Sequence, residues 1–555
     1  MADEVRDLLD EYSTLKSERK PFEETWQEIV DNVAPSRSGF LVDDPGKGER
    51  RGAGIKDGTP MWALETYKAG LMGRLLSSYF DWFSIRVPDE DLMDVPDIRR
   101  WLSKVDQALY SLIARSNFYP QMYQFFGDGG SIGTATIYRY WNENTKREVF
   151  SVQHPRQIYL AENEDGDNDT IFNVMMMTNK KLVQAFGQDN LHGDIVKAAA
   201  QPQEMYVERK VIHVVKPNEK YDPRKKESKA KRFASWYIDV EHESIIRQAG
   251  YSNMPYASWR VEKEPDEVYG RGPGWRALHD IKSLYAYADT DIRAAQYAVN
   301  PAVDIPMERK GMVKLIPGAR NYYEESNRPI MPIQTQLNLG AGLDREQRKQ
   351  QIIERHFMVP FFTMMQQVGE QTRNRTAYEI RRIEEETAVL LGPHITGLNQ
   401  DVMDKLIDGL FNDAWEAGLI PQPPDILLKG ERRLEVDYMG PLALAQRSYF
   451  HSEPFRKTIG DLSGIAAMDP TGQTLQRALQ NYDWDRVTRE MSRANGLPEE
   501  NMMDEKVRDQ IRQAIAQEQQ KQQQLAAMEQ LGKAVPGLSK APEAGSPAES
   551  MNAAG

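Results

Sequence analysis

"EVYGRGPGWRALHDIKSLYAYADTDIRAAQYAVNPAV", residues 267–303, sets glycine at positions 270, 272 and 274 and then runs on without a helix breaker until Asn300-Pro301. The stretch reads as one helix from Trp275 to about Val299, closed by the Asn-Pro pair. At 1.5 Å per residue such a helix is about 37 Å long. The three glycines admit two readings, a phosphate cradle or a tight backbone corner that launches the helix. Their spacing is G-x-G-x-G, not G-x-G-x-x-G, and no βαβ pattern with an acidic residue about 20 positions on surrounds them. The corner is the reading the residues support, and a dinucleotide site is set aside.

Downstream, Asp344 can cap a second long helix, REQRKQQIIERHFMVPFFTMMQQV (345–368). Pro360 should break it near Val359 and leave FFTMMQQVGE (361–370) as a hinge. Between the two helices, 301–343 carries Pro, Gly and short β-like pieces, a small β module inserted between helices. After the loop GEQTRNRT (369–376), a third helical stretch runs from Ala377 to about Ala417 with a kink expected at Gly392-Pro393. Arg381/Glu385 and Arg382/Glu386 stand four apart on it, as on an exposed or polar face. A Pro-rich turn and the strand RLEVDYM (433–439) follow, then short helices to about Leu497, and a Gln-rich helix over 503–531 whose apolar positions Val507, Ile511 and Ile515 give way to polar ones. The final stretch, rich in Pro, Gly and Ser, is expected to be disordered.

Upstream, residues 2–34 give two amphipathic helices separated at Lys20-Pro21, one with Val5, Leu8, Leu9, Tyr12 and Leu15, the other with Phe22, Trp26, Ile29, Val30 and Val33. The Gly-rich loop 45–58 leads into Thr59-Pro60, an N-cap followed by Pro at the first helical position. Residues 97–126 are helical again and end at GDGGSIG (127–133), after which TATIYRYW alternates as a strand does. Short strand patterns fill 147–215, and FASWYIDVE (233–241) returns to strand character. Short connections make these strands antiparallel. The fold class expected is α+β.

Composition bounds the function. The chain has 555 residues, 28% charged and 40% hydrophobic, with a mean hydropathy of -0.65, as in soluble proteins of several cores. Its start is acidic and amphipathic, and the longest apolar runs, such as VMMM at 174–177, are too short to span a bilayer, so no membrane anchor is expected. Cysteine is absent, which excludes disulfides and thiolate chemistry and fits folding in the cytosol. A net charge of -13 argues against tight static binding of nucleic acid, though not against DNA passing nearby.

No motif supplies a catalytic centre. The loop 45–58 lacks G-x-x-x-x-G-K-[ST], so any ATPase in the same process is another chain. Gly129-Gly130-Ser131-Ile132-Gly133 matches G-x-S-x-G, but a nucleophile elbow needs the strand before the serine and the helix after it, and here the order is reversed. The eight His residues fall in no metal-binding spacing, and NEDGDND (163–169) lacks the twelfth-position Glu of a calcium loop, that place being Met176. No cofactor or metal is expected.

The order of these pieces resembles bacteriophage portal proteins, the head-to-tail connectors of short-tailed phages. ERKPFEETWQEIVDNVAPSRSGF (18–40), RLLSSYFDWFSIRV (74–87), the opening stretch to Pro306, TAYEIRRIEEETAVLLGPHITGL (376–398) and VDYMGPLALAQRS (436–448) carry the resemblance across about 1–500. It implies a portal-type ring subunit: a mixed α/β wing over 1–270, stem helices over 271–300 and 344–367, a small β clip over 301–343, a tunnel loop over 368–376, a long kinked wing helix and strand over 377–440, a mostly helical crown over 441–502, a barrel-type helix over 503–531 and a disordered tail over 532–555. The implied assembly is a homo-oligomeric ring of twelve at one capsid vertex. Its implied partners are double-stranded DNA in the channel, the terminase large subunit, major capsid and scaffolding proteins, and tail adaptor or nozzle proteins. Implied channel residues are Arg345, Arg348, Lys349, Arg373, Asn374 and Arg375, and implied clip contacts are Arg309, Lys310, Lys314, Arg320, Tyr322 and Tyr323. Twelve helices about 10 Å apart enclose a hole of roughly 28 Å, wider than a duplex of roughly 20 Å. Two other readings remain open: a tail or baseplate adaptor ring that never meets the packaging motor, and a hydrolase using Ser131.

Overall fold

A computed structural model describes residues 2–41, 51–299, 303–304, 331–332, 339–363, 391–428, 434–444, 453–466, 480–494 and 505–534, less Ser38, Asp94, Pro223, Lys226 and Leu442, together with Gly48, Arg477 and Met503. Helix α1 spans Ala2–Val33 without interruption, so the two helices expected on either side of Pro21 are one. A proline inside a helix forfeits a hydrogen bond and costs about 3 kcal/mol. The penalty is offset because the two halves are anchored in different cores. Val5, Leu8, Tyr12 and Leu15 pack with Phe172, Ile212, Val214 and Trp236, whereas Trp26, Ile29, Val30 and Val33 enter the main core. Beside the proline, buried Arg19 donates to Glu23 at 2.6 Å, to the Ile158 carbonyl at 2.7 Å and to the Tyr159 hydroxyl at 2.9 Å, fixing the helix middle to the sheet.

The chain continues through α2 (Thr59–Leu75), β1 (Phe83–Arg86), the short α3 (Glu90–Met93), α4 (Pro96–Arg115) and α5 (Phe118–Ser131). Proline at the first turn of α2 and α4 starts each helix without losing a needed donor. Strands β2 (Thr134–Asn142), β3 (Arg147–Gln153) and β9 (Tyr256–Arg260) form one antiparallel sheet in the order β3-β2-β9. Strands β4 (Ile158–Glu162), β5 (Asn168–Thr178), β6 (Glu208–Pro217), β7 (Phe233–Asp239) and β8 (Ser244–Tyr251) form a second, in sequence order and antiparallel throughout. Two helices, α6 (Asn179–Phe186) and α7 (Gly193–Ala200), fill the connection from β5 to β6. The antiparallel expectation holds, and helices segregated from antiparallel sheets make the class α+β.

Helix α8 covers Pro273–Val299, two residues longer at its start than the sequence suggests, and α9 covers Leu339–His356. Between them β10 (Val303–Asp304) pairs with β11 (Met331–Pro332) antiparallel, and the rest of 301–338 lies outside the described residues. The break expected at Pro360 falls earlier. A turn occupies Phe357 and Met358, with Met358 at φ 56°, and helix resumes over 359–363, so Pro360 sits in a first turn, where its missing N–H costs nothing. Phe357 in the turn and Val359 just after it are buried in the main core. The join is packed, and the part of the expected hinge beyond 363 lies outside the described residues, as do the loop 368–376 and Arg381 to Glu386.

From 391 the chain is helical through Gly392 and Pro393, and the irregularity is a π-helical turn at Asn399–Met403, leading into the helix Asp404–Glu416. That helix joins the same core as the N-terminal half, with Trp101 Nε1 donating to the Pro421 carbonyl at 2.8 Å. The strand β12 (Glu435–Tyr438) returns to pair with β1. Helices Glu453–Ala466, Trp484–Ala494 and Glu505–Ala534 follow, and residues from 535 lie outside the described set.

Candidate functional site

The long helix is rooted in glycine packed on glycine. The end of α5 and the segment before α8, two runs that look unrelated in the sequence, lie backbone against backbone. A Cβ on Gly272 would stand 2.4 Å from the Gly129 carbonyl oxygen, one on Gly274 would stand 2.3 Å from that of Ser131, and one on Gly133 would stand 2.2 Å from the Gly272 nitrogen. Hydrogen bonds lock the clasp: Val261 N–H to the Gly133 carbonyl at 3.0 Å, Arg271 N–H to the Glu262 carbonyl at 2.7 Å and Gly270 N–H to Thr134 Oγ1 at 2.9 Å. The glycines are therefore the corner the sequence implies. Ser131 is part of it: helix precedes and strand follows, and its buried hydroxyl donates to the Gly127 carbonyl at 2.7 Å. The acidic 163–169 run is a β4–β5 turn, in which Asn163 Oδ1 accepts from the N–H groups of Asp165 at 3.0 Å and Asp167 at 2.8 Å.

Helices α8 and α9 pack along one another, and both are rooted at the same end. Ala277, Ile281 and Leu284 of α8 and Ile353 of α9 enter the main core, whereas toward the β10–β11 end Ile292 and Val299 are 52% and 84% exposed. Polar contacts join the pair: Lys349 Nζ donates to Asp280 Oδ1 at 2.6 Å and His356 Nε2 lies 3.1 Å from Asp280 Oδ2. Gln350 Nε2 donates to Asp57 Oδ2 at 2.8 Å, tying α9 to the loop before α2. Burial pushes the Asp280 carboxyl up, but hydrogen bonds from Lys349 and His356 outweigh it and hold its pKa below the ordinary value. Because the folded pKa is depressed, this contribution is present above the unfolded pKa, about 3.9, and is lost as pH falls through the folded value. Asp280→Asn should loosen the helix pair by about 1 kcal/mol and remove that acid dependence. Hydrogen exchange of 345–356 at pH 3 to 7 measures both, and equal protection in variant and parent would refute it.

The expected channel residues divide. Arg345 and Arg348 are exposed on α9, with the Arg345 guanidinium 5.4 Å from the centre of the Tyr287 ring. Arg348 shares an exposed face with Asp344, Gln351 and Arg355, at i, i+4, i+7 and i+11 spacing, opposite the side that meets α8. Lys349 lies on the packed side, its charge engaged by Asp280. Arg373, Asn374 and Arg375, and Arg309, Lys310, Lys314, Arg320, Tyr322 and Tyr323, lie outside the described residues.

Sequence reading missed three features. Asp280 sits in the opening stretch, yet its partners arrive only when α9 folds back. Arg139 on β2, buried, reaches Asp413 on the helix Asp404–Glu416 and lies 3.5 Å from Glu148 of β3. Burial, then the Asp413 carboxylate, raise the Glu148 pKa well above the carboxylate range. Between the two sheets runs an open groove of about 1280 Å³, lined by Tyr138, Tyr237, Tyr251 and Tyr256 around buried His213, whose imidazole burial holds down to about 3 and therefore neutral. No local pattern signals it, because each wall comes from a different strand.

A model of the family described as bacteriophage head to tail connecting protein matches residues 5–535. The chain is 28% identical over 539 residues to the portal protein of Salmonella phage epsilon15, covering 95% of this chain and 93% of that one. It is 25% identical over 533 residues to a protein of Bordetella phage BPP-1 named "Probable portal protein", covering 94% and 93%.

Proposed function

The chain belongs to the bacteriophage head to tail connecting protein family, and on that premise we propose that it forms a ring of twelve copies at one capsid vertex. Through this ring double-stranded DNA enters during packaging and leaves during ejection. The observation that carries the reading is the whole-length match joined to one geometry, two long helices rooted together in a core and joined at their far ends by a small β pairing. In that ring α8 and α9 are the stem, the part of 301–343 that precedes α9 is the clip that meets the terminase large subunit and later the tail adaptor or nozzle, and 368–376 is the tunnel loop. The two sheets and the 391–440 region make the wing toward the major capsid and scaffolding proteins. Helices 453–494 belong to the crown and Glu505–Ala534 to a barrel inside the head. The protein is assembled in the host cytoplasm and resides in the virion.

An acidic ring suits a conduit, since strong phosphate binding would hold the duplex in place. Sparse cations then guide or brake it, namely Arg345 and Arg348 on the stem and Arg373 and Arg375, with Asn374, in the tunnel loop. Lys349, neutralised by Asp280, contributes to the stem rather than to the channel. The chain performs no catalysis, and the energy comes from a separate ATPase. Capsids assembled with and without this chain, given the packaging ATPase and linear DNA, test the proposal. Nuclease-protected DNA is expected only in particles that carry the ring, and equal protection without it would sink the reading.

A further inference from the structure

His192, Asp194 and His242 come from two distant parts of the chain, and one ligand atom from each lies within 4.8 Å of the other two. His192 immediately precedes α7, Asp194 is in its first turn, and His242 sits in the turn between β7 and β8. The two imidazoles stack with centroids 4.0 Å apart and planes inclined by 22°. Two imidazolium ions so close would repel; two neutral rings each offer a lone pair. Asp194 Oδ2 lies 3.4 Å from His192 Nδ1.

The decisive feature lies behind the cluster. Asp239, its side chain 2% exposed, stands with Oδ2 2.6 Å from His242 Nδ1. The same carboxylate takes the Glu241 N–H at 3.1 Å, which fixes it in place. With Nδ1 engaged by Asp239, the His242 nitrogen left for a metal ion is Nε2. A buried carboxylate that sets the tautomer and orientation of a histidine is the outer-shell partner that metal-ligating histidines use. Two imidazole nitrogens and one carboxylate oxygen suit a borderline divalent ion rather than Ca²⁺ or Mg²⁺, which favour oxygen ligands.

We propose that His192, Asp194 and His242 bind a divalent transition-metal ion of the Zn²⁺ class, with Asp239 positioning His242 and solvent completing the coordination. The ion ties α7 to the β7–β8 turn. Ile195 of α7 and Ile246 of β8 lie in one small cluster with Leu182 and Val211, so binding stiffens one corner of the five-stranded sheet. The histidine spacing in sequence conceals the site, because the strand pairing creates it.

Calorimetry and thermal unfolding of the untagged full chain with Zn²⁺ alone, and separately with Mg²⁺, test this. One Zn²⁺ per chain is expected, with a raised unfolding temperature and no comparable effect of Mg²⁺. His192→Ala and His242→Ala, both at exposed or half-buried turn positions, should each remove that binding while leaving the far-ultraviolet circular dichroism unchanged. Asp239→Asn should weaken Zn²⁺ binding about 10- to 100-fold, the range for outer-shell partners. If the parent binds no Zn²⁺ at millimolar concentration, if Mg²⁺ acts equally, or if both His192→Ala and His242→Ala keep parental stoichiometry and affinity, the site does not exist.

Discussion

Gly133→Ala lowers the stability of the main unfolding transition by about 2–5 kcal/mol, and Gly272→Leu yields little soluble chain. Gly133 has a φ of +99°, a conformation that costs a side-chain-bearing residue about 1–2 kcal/mol. Its new Cβ would also meet the Gly272 nitrogen and the Arg271 carbonyl carbon, at 2.2 and 2.3 Å. Those atoms are backbone held on both sides by hydrogen bonds and cannot swing aside as a side-chain end would, so overpacking adds about 1–3 kcal/mol. The matched control is Gly397→Ala. Gly397 lies in a helix and its Cβ would meet nothing within 4 Å, so this change should gain about 0.5–1 kcal/mol. Denaturant midpoints of the three chains measure the effect. A Gly133→Ala midpoint equal to the parent's would mean that the clasp does not anchor the stem helix.

Arg139→Met carries the second large effect, a loss of about 3–5 kcal/mol, because breaking a buried ionic cluster leaves its partners uncompensated. Arg139 is buried with Glu148 beside it and Asp413 across from it, and its guanidinium lies against Gly409, where even a Cβ would stand 2.1 Å from its central carbon. Removing it strands one carboxylate at the joint between β2 and the helix Asp404–Glu416. The joint should also depend on pH. Glu148 has a raised folded pKa, so the native state keeps a proton that the unfolded chain releases. The stability it contributes is complete below the ordinary Glu value, about 4.3, and is lost as pH rises through the raised value. Glu148→Gln should flatten that slope while keeping the fold. A slope of unchanged size in Glu148→Gln would assign it to another group.

What the sequence discloses is local. The helix after Gly274 is legible because no breaker interrupts it before Asn300-Pro301, and the antiparallel pairs β2–β3, β4–β5 and β7–β8 follow from their short connections. The two prolines mislead because each is judged without its surroundings. Pro21 stays within α1 since both flanks are buried in separate cores, and Pro360 begins a helical turn after Met358 has already reversed the chain. The two glycine runs each look like a corner, but nothing in either says that they are halves of one contact. Lys349 shows the same limit at the proposed site. Its neighbours in sequence suggest an exposed cationic face, whereas Asp280, which takes its charge, lies on the other helix of the pair.

The ring is the central claim, and the native mass of the purified chain, taken with averaged images viewed down the particle axis, tests it most directly. Twelve copies of a 63.6 kDa chain give about 760 kDa, and the images should show an open centre wide enough for duplex DNA, roughly 20 Å. The stem helices α8 and α9 should line that opening, with the exposed Arg348 face of α9 toward it. A closed particle without a central opening, or a ring in which α8 and α9 lie on the outer rim, would contradict the conduit.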